Sequence, residues 1–329
     1  MGEGAGAPVY SFVIPLYNEE LVLPILFHRL DGLLARLDGP AEVILVDDGS
    51  RDASGVFAAG RAKDDPRFRY VGLARNFGHQ AAITAGMDLA CGQAVIIMDA
   101  DLQDPPEVVL DLVAKWREGY EVVYAQRVSR AGESPVKLVT ARLFYGLLRR
   151  MTRVDIPANV GDFRLVDRAA LDVFRAMPER DRFVRGMFAW IGFRQAAVPY
   201  HRMARAAGET KYPLRRMLRL AFDGIVGFSD APLRVVLWTG IAVSAAAALY
   251  GVAIMITALY DRSYVQGWAS IVVILSFLSG LNLMMTGVVG LYVGRIHSEV
   301  KGRPLYVIGR TVNVPSAAAQ GASPDRRAA

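Results

Sequence analysis

Ala94-Val95-Ile96-Ile97-Met98 runs directly into Asp99-Ala100-Asp101-Leu102-Gln103-Asp104-Pro105-Pro106-Glu107, and the fold is read outward from this junction. The first five residues are apolar and rich in β-branched side chains, the pattern of a strand buried on both faces of a parallel sheet. Asp99 and Asp101 then lie at the carboxyl end of a central strand, where open α/β sheets bind ligands. Asp104 is placed to cap the next helix, with Pro105 at its first position and Glu107 completing a capping box. Two acids on a short turn closed by a helix suit a hard divalent cation. The plainer alternative is a helix cap with a bystander acid.

The flanking sequence repeats the theme. Ser11–Leu16, Glu42–Val46, Phe68–Leu73 and Glu121–Ala125 read as further strands. Three of them end in polar clusters: Tyr17-Asn18-Glu19-Glu20, Asp47-Asp48-Gly49-Ser50 and Arg75-Asn76-Phe77-Gly78-His79-Gln80. An amphipathic helix follows the first strand to about Leu37, a small-residue helix spans about Gln80–Ala90, and the Pro105 helix runs to about Glu118. This alternation predicts a mostly parallel, doubly wound sheet with one crevice of the nucleotide-binding type. Beyond Ser134 a helical periodicity through Leu148 is broken by Asn159-Val160-Gly161-Asp162-Phe163-Arg164-Leu165, where Asp162 alone would read as a helix cap. Helices are expected over Arg168–Ala176 and Phe183–Ile191, and a strand over Gln195–Tyr200.

Composition bounds the class. The 329 residues are 53% hydrophobic and carry a net charge of +6, with mean hydropathy +0.26 and a pI near 9.5. The apolar excess collects after residue 230. Val235–Tyr260 and Ala269–Val293 hold no charged side chain, and each exceeds the ~20 residues that cross a bilayer. Trp238, Tyr260, Tyr264, Trp268 and Tyr292 sit near the expected interfaces. Arg234 precedes the first run and Arg295, Lys301 and Arg303 follow the second. The positive-inside rule therefore puts both flanks, both termini and the α/β domain in the cytoplasm, as in a multi-pass membrane protein. Leu214–Phe228, with Arg215, Arg216 and Arg219, reads as a basic amphipathic helix for the membrane interface. No nucleic-acid-binding module accompanies the positive charge. A single cysteine, Cys91, excludes an internal disulfide, and His28, His79, His201 and His297 show no metal-ligand spacing. The start of the chain lacks the features of a signal peptide. The expected order is a flexible start (1–9), a catalytic domain (10–212), a juxtamembrane helix (213–232), two spans (233–294) and a tail (295–329), disordered past Val314.

The motifs Pro15-Leu16-Tyr17-Asn18-Glu19, Val46-Asp47-Asp48-Gly49-Ser50, Arg75-Asn76-Phe77-Gly78 and Asp99–Glu107 resemble family-2 glycosyltransferases of the GT-A fold. Within that family they are similar to polyprenyl-phosphate glycosyltransferases, the group of dolichyl-phosphate mannose synthase and the bactoprenol glucosyltransferases. The resemblance extends from about Tyr10 to Gly309. It implies inverting transfer of a sugar from a nucleoside diphosphate, UDP first and GDP second, to undecaprenyl phosphate. It further implies Mg²⁺ or Mn²⁺ held by Asp99, Asp101 and Gln103, with Asp101 the first candidate for direct ligation. Pro15, Tyr17, Glu19, Asp47 and Asp48 would surround the nucleoside. Arg127 matches the position used for the lipid phosphate in the mannose synthases. Their second arginine lacks a matching motif here, and Lys137 takes its place as a point charge. Asp162 occupies the place of the proposed base in the bacterial branch, read here as a positioning or weak-base residue. Arg205 and Lys211, around Gly208-Glu209-Thr210, resemble the loop that closes over the donor diphosphate and would stabilise the leaving group.

Two other readings compete. A processive polysaccharide synthase would carry a Gln-x-x-Arg-Trp motif and more spans. A non-catalytic membrane scaffold would be expected to lose its site acids, yet Asp99, Asp101 and Asp162 are all present. The paired interfacial helices and spans also favour association into a homo-oligomer.

Overall fold

The computed structural model describes residues 7–128, 160–180, 182–202, 231–260 and 267–315. These form two compact units. One contains the sheet, made of the residues up to 202 and those from Arg303 onward, and the other contains the two long helices.

The sheet has eight strands: β1 (Tyr10–Leu16), β2 (Ala41–Asp47), β3 (Phe68–Leu73), β4 (Ala94–Ile97), β5 (Val122–Arg127), β6 (Val160–Asp167), β7 (Gln195–Tyr200) and β8 (Ile308–Val312), in the order β7-β5-β6-β4-β1-β2-β3-β8. β1 pairs in parallel with both β2 and β4, and β2 with β3, so Leu16, Asp47, Leu73 and Ile97 all end at one edge. β6 and β8 run against the rest. Every residue of β1 and β4 is buried, which is why both read as unbroken apolar runs.

Three helices follow β1, β2 and β3: α1 (Leu23–Leu34), α2 (Ser54–Asp64) and α3 (His79–Leu89). α1 buries Leu23, Leu26, Leu30, Leu33 and Leu34 on one face, with Pro24 in its first turn. α2 is absent from the sequence reading, because Ser54-Gly55-Val56-Phe57-Ala58-Ala59-Gly60 has little apolar contrast. α3 lies so close on the sheet that a Cβ at Gly86 would overlap the side chain of Val13. Its far end is capped by α5 (Arg168–Ala176): Arg175 donates to the carbonyl of Ala90 at 2.9 Å, and Arg168 Nε to that of Gly92 at 3.0 Å. The start of α3 is thereby held against the site. α4 (Val109–Arg117) and α6 (Val184–Ile191) complete this unit.

Two of the expected helix caps are corrected, and the structure adds detail at both ends of the domain. Val160–Leu165 lies in β6, whose inner positions carry Asp162 and Arg164 where an apolar pattern would need hydrophobic residues, so Asp162 is a strand residue and not a helix cap. The cap of the following helix is Asp167, which accepts from the Ala169 amide at 2.8 Å. Asp104 caps nothing: Pro106–Val108 is a 3-10 turn with no side-chain cap, and Glu107 pairs with Arg29 instead. Within the expected tail, ahead of the stretch past Val314, β8 pairs with β3 and covers its edge. At the other end the Val9 amide donates to the carbonyl of Pro40 at 2.8 Å.

In the second unit α7 (Ala231–Tyr260) and α8 (Trp268–Val300) are 30 and 33 residues long. Met285 of α8 approaches Gly240 of α7, where a Cβ would lie 3.7 Å from the methionine methyl. Among the described residues one stretch, Phe277–Val300, is long and apolar enough to cross a membrane. The apolar stretch described in α7 is shorter, Val235–Ala247. The periodic segment 134–148, the amphipathic segment 214–228, the 261–266 connection and the chain past 315 lie outside the described residues.

Candidate active site

The turn after β4 is built tightly. Ala100 and Leu102 are buried at 3% and 4% exposure, and Leu102 is held at φ +57°, a left-handed conformation unfavourable for a bulky residue. Asp101 accepts the Gln103 amide at 3.1 Å, closing an Asx-type turn. Asp99 has a buried Oδ1 without a hydrogen-bond partner; its nearest positive group is His79, whose Nε2 lies 3.5 Å away. Burial, with repulsion from Asp162, Asp104 and Asp101, outweighs the pull of His79 and pushes the Asp99 carboxyl up to about 6. This is a concentration of negative charge that a divalent cation would relieve. Among the described residues no group of three or more His, Cys, Asp or Glu side chains is gathered for a metal ion. The residues present fit an ion held by one or two carboxylates together with substrate oxygens.

The antiparallel register between β4 and β6 explains how Asp162 arrives here. Ile97 is opposite Arg164, so two residues further along each strand stand Asp99 and Asp162. Asp162 is only 3% exposed and accepts from Arg185 twice, at 2.8 Å from Nε and 3.0 Å from Nη2. Gln80 donates to it at 3.3 Å, and His79 lies 3.3 Å from the same oxygen. Burial alone would raise this carboxyl, but Arg185, the His79 hydrogen bond and Arg164 overcome it and hold Asp162 well below the usual carboxylate range. For His79, burial favours the neutral ring, yet Asp162 and Asp99 prevail and raise it. A carboxylate held so firmly ionised is a mooring for cations and a poor proton acceptor.

The remaining strand ends supply the other wall. Asp47 and Asp48 are both buried, and both carboxylates are used internally. Asp47 accepts from the Ser50 amide at 2.8 Å and the Tyr70 hydroxyl at 3.0 Å; burial, helped by the Asp47 charge, pushes Tyr70 up to about 12. Asp48 accepts from the amides of Phe77 and Gly78 at 2.7 and 2.9 Å, tying the loop after β3 to the turn after β2. Asn18, at φ +56°, accepts from the Arg51 amide and binds Ser50 through its own N–H. Pro15 is buried within β1, Glu19 is partly buried, and Tyr17 is 43% exposed, its ring open to a ligand.

On the other side, β5 ends in Arg127. Its Nε donates to the Tyr200 hydroxyl at 3.0 Å, and its Nη2 lies 3.7 Å from Asp104. Asp104, 1% exposed, also receives the hydroxyl of Tyr200 and lies 3.4 Å from Arg202 Nε. The acid expected to cap a helix is thus the centre of a cluster joining the cation turn to two arginines. Lys137, Arg205 and Lys211 lie outside the described residues. His79, Arg185, Tyr200 and Arg202 escaped the sequence reading. His79 adjoins the Arg75–Gly78 motif, which was the available signal, whereas the arginines and Tyr200 belong to no quoted motif.

Residues 11–174 match the family described as Glycosyl transferase family 2. The uncharacterized glycosyltransferase YkcC of Bacillus subtilis is 47% identical over 93% of this chain and 94% of its own. A bactoprenol glucosyl transferase of Shigella phage SfII is 38% identical, over 92% of this chain and 97% of its own. A prophage bactoprenol glucosyl transferase homolog of Escherichia coli K12 is 37% identical, over 91% and 98%. Among solved structures, glucosyl-3-phosphoglycerate synthase of Mycobacterium tuberculosis superposes at TM-score 0.46 with 21% identity, over 68% of this chain and 78% of that one. The family match and 37–47% identity across nearly the whole length of these relatives place the chain: it belongs to glycosyl transferase family 2, as a homologue of the bactoprenol glucosyl transferases.

Proposed function

We propose that the protein transfers a sugar, with inversion, from a UDP-sugar to the phosphate of undecaprenyl phosphate at the cytoplasmic face of a bacterial inner membrane. The observation that carries this reading is the bipartite site. The acidic Asp99–Asp101 turn is joined, through Asp104, to Arg127 and Arg202. One half suits a donor diphosphate with its cation and the other a phosphate monoester. Relatives named for glucosyl transfer to bactoprenol make UDP-glucose the first donor to try, ahead of a GDP-sugar.

Asp99 and Asp101, with Gln103 beside them, would hold Mg²⁺ or Mn²⁺. Such an ion, when bound, neutralises charge on the departing diphosphate. Tyr17 offers a face to the base, while Asp47 and Asp48 shape its wall by fixing the backbone around it. The acceptor is a phosphate monoester with a second pKa near ~6, so its oxygen is a nucleophile at neutral pH without a strong base. Arg127 orients that oxygen. It attacks the anomeric carbon, the bond from that carbon to the diphosphate breaks, and UDP leaves with the electron pair. Asp162 acts by holding Arg185 and His79 in place. Arg205 and Lys211 would close over the diphosphate. Two spans, Val235–Tyr260 and Ala269–Val293, would anchor the domain at the lipid acceptor, with the 214–228 segment in the interface.

The test uses the full chain in detergent with undecaprenyl phosphate and radiolabelled UDP-glucose, UDP-N-acetylglucosamine and GDP-mannose. Label should enter the organic phase with one donor, stop on chelation and return with Mg²⁺ or Mn²⁺. Asp101→Asn should abolish it in a folded protein. Equal rates with a soluble sugar acceptor, or full turnover by Asp101→Asn, would overturn the reading.

A further inference from the structure

We propose that Arg303–Asn313, the segment following α8, is a positioning element of the donor site: through β8 it sets the Arg75–Gly78 loop that forms the nucleotide side. The inference rests on the donor reading above.

An edge strand that only covers its neighbour needs no more than the ladder. Here the contacts continue past it. β8 pairs with β3 from Tyr70–Val312 to Leu73–Ile308, with an irregularity between Gly72 and Leu73 where β3 leaves the sheet. Beyond the last pair, the Ala74 amide donates to the Val307 carbonyl at 2.8 Å. Gly309 lies against the same residue: a Cβ there would stand 3.2 Å from Ala74 Cα and 3.4 Å from its nitrogen. Tyr306, 8% exposed, reaches α3 and donates to Asp88 at 2.8 Å. At the other end Asn313 donates to the carbonyls of Pro66 and Phe68 at 2.8 and 2.7 Å.

Ala74 is the entry to the loop. The next two residues lie directly on the turn after β2, where Gly49 at φ +70° would place a Cβ 2.7 Å from the carbonyl carbon of Arg75 and the nitrogen of Asn76. Asp48 holds the amides of Phe77 and Gly78 from below. Gly78, at φ +102°, then starts α3 with His79, which faces Asp99 and Asp162. The segment therefore fixes the loop at its entry through β8, and through Tyr306 it ties the far end of α3, the helix that begins where the loop ends. A loop fixed at its entry by this segment and held at Phe77 and Gly78 by Asp48 has lost its freedom before the donor arrives, which lowers the ordering cost of binding.

The test compares the full chain in detergent with Gly309→Val, Gly309→Ala and Tyr306→Phe. Three readouts are taken: hydrogen exchange at Phe77 and Gly78, affinity for UDP, and KM for donor and acceptor separately. Gly309→Val should speed exchange at those amides and weaken UDP binding and donor KM about fivefold, about 1 kcal/mol. Acceptor KM should stay unchanged. Gly309→Ala should recover most of the loss, and Tyr306→Phe, which keeps the strand, should give about a twofold effect in the same direction. Unchanged exchange and UDP affinity in a folded Gly309→Val, or in Tyr306→Phe should Gly309→Val not fold, would overturn the proposal. Donor and acceptor KM moving together would do the same. Wild-type protein that binds UDP but labels no lipid would instead refute the acceptor reading. A wild type that does not bind UDP would refute the donor reading, and with it this proposal.

Discussion

Asp162→Asn separates a mooring role from proton transfer. The substitution preserves shape and removes one charge from a group only 3% exposed that takes two hydrogen bonds from Arg185. Breaking a buried pair by removing one partner costs about 3–5 kcal/mol. Arg185 is 34% exposed, so water recovers part of this, and a loss of about 2–3 kcal/mol is expected. For a domain of this size, that lowers the melting temperature by about 4–12 °C. The pH dependence has a definite sign. Asp162 titrates lower in the folded chain than in the unfolded one, so the unfolded state binds more protons between those values and stability rises with pH there. The wild-type advantage should shrink below about pH 4, near the unfolded carboxyl value, and the part owed to His79, which Asp162 raises, should fade as pH rises through that raised value. Thermal melts followed by fluorescence would measure it, with Arg185→Gln and the double variant completing a cycle. A coupling of about 2 kcal/mol is expected; additivity within about 0.5 kcal/mol would refute the pairing. A transfer rate lost without any change in stability would favour a base instead.

Other substitutions probe the two halves of the site. Tyr200→Phe removes the hydroxyl shared by Asp104 and Arg127; a loss of about 1–3 kcal/mol in melts and a raised acceptor KM are expected. Gly49→Ala places a methyl 2.7 Å from the Arg75–Asn76 backbone at a φ of +70°. It should cost about 1–3 kcal/mol and weaken UDP binding measured by calorimetry.

Much of the sheet was legible because β1, β2, β3 and β4 are buried on both faces and end in polar clusters, two independent signals at each strand. The acidic turn was legible for the same reason. β6 was not, because its inward positions hold Asp162 and Arg164, whose burial is stabilised by partners distant in sequence. β8 is short, with Gly309, Arg310 and Thr311 exposed, and it is ordered by the edge of β3 rather than by a pattern of its own. Asp104 was misread as a cap because Asp-Pro-Pro-Glu fits that local pattern; Tyr200, 96 residues later, decides its role. Asp47 and Asp48 stand at the end of β2, as their place after an apolar run implies, but their carboxylates are spent on holding loops: Asp47 takes the Ser50 amide and the Tyr70 hydroxyl, and Asp48 the amides of Phe77 and Gly78.

The most direct measurement is the fate of the phosphate. The full chain is incubated with undecaprenyl phosphate and the donor that labels lipid, while phosphorus NMR follows the acceptor and chromatography follows the nucleotide. Conversion of the lipid phosphate monoester to a sugar phosphodiester, with one UDP released per diester, is the expected result. Release of UMP, or sugar transferred while the lipid phosphate stays a monoester, would contradict it.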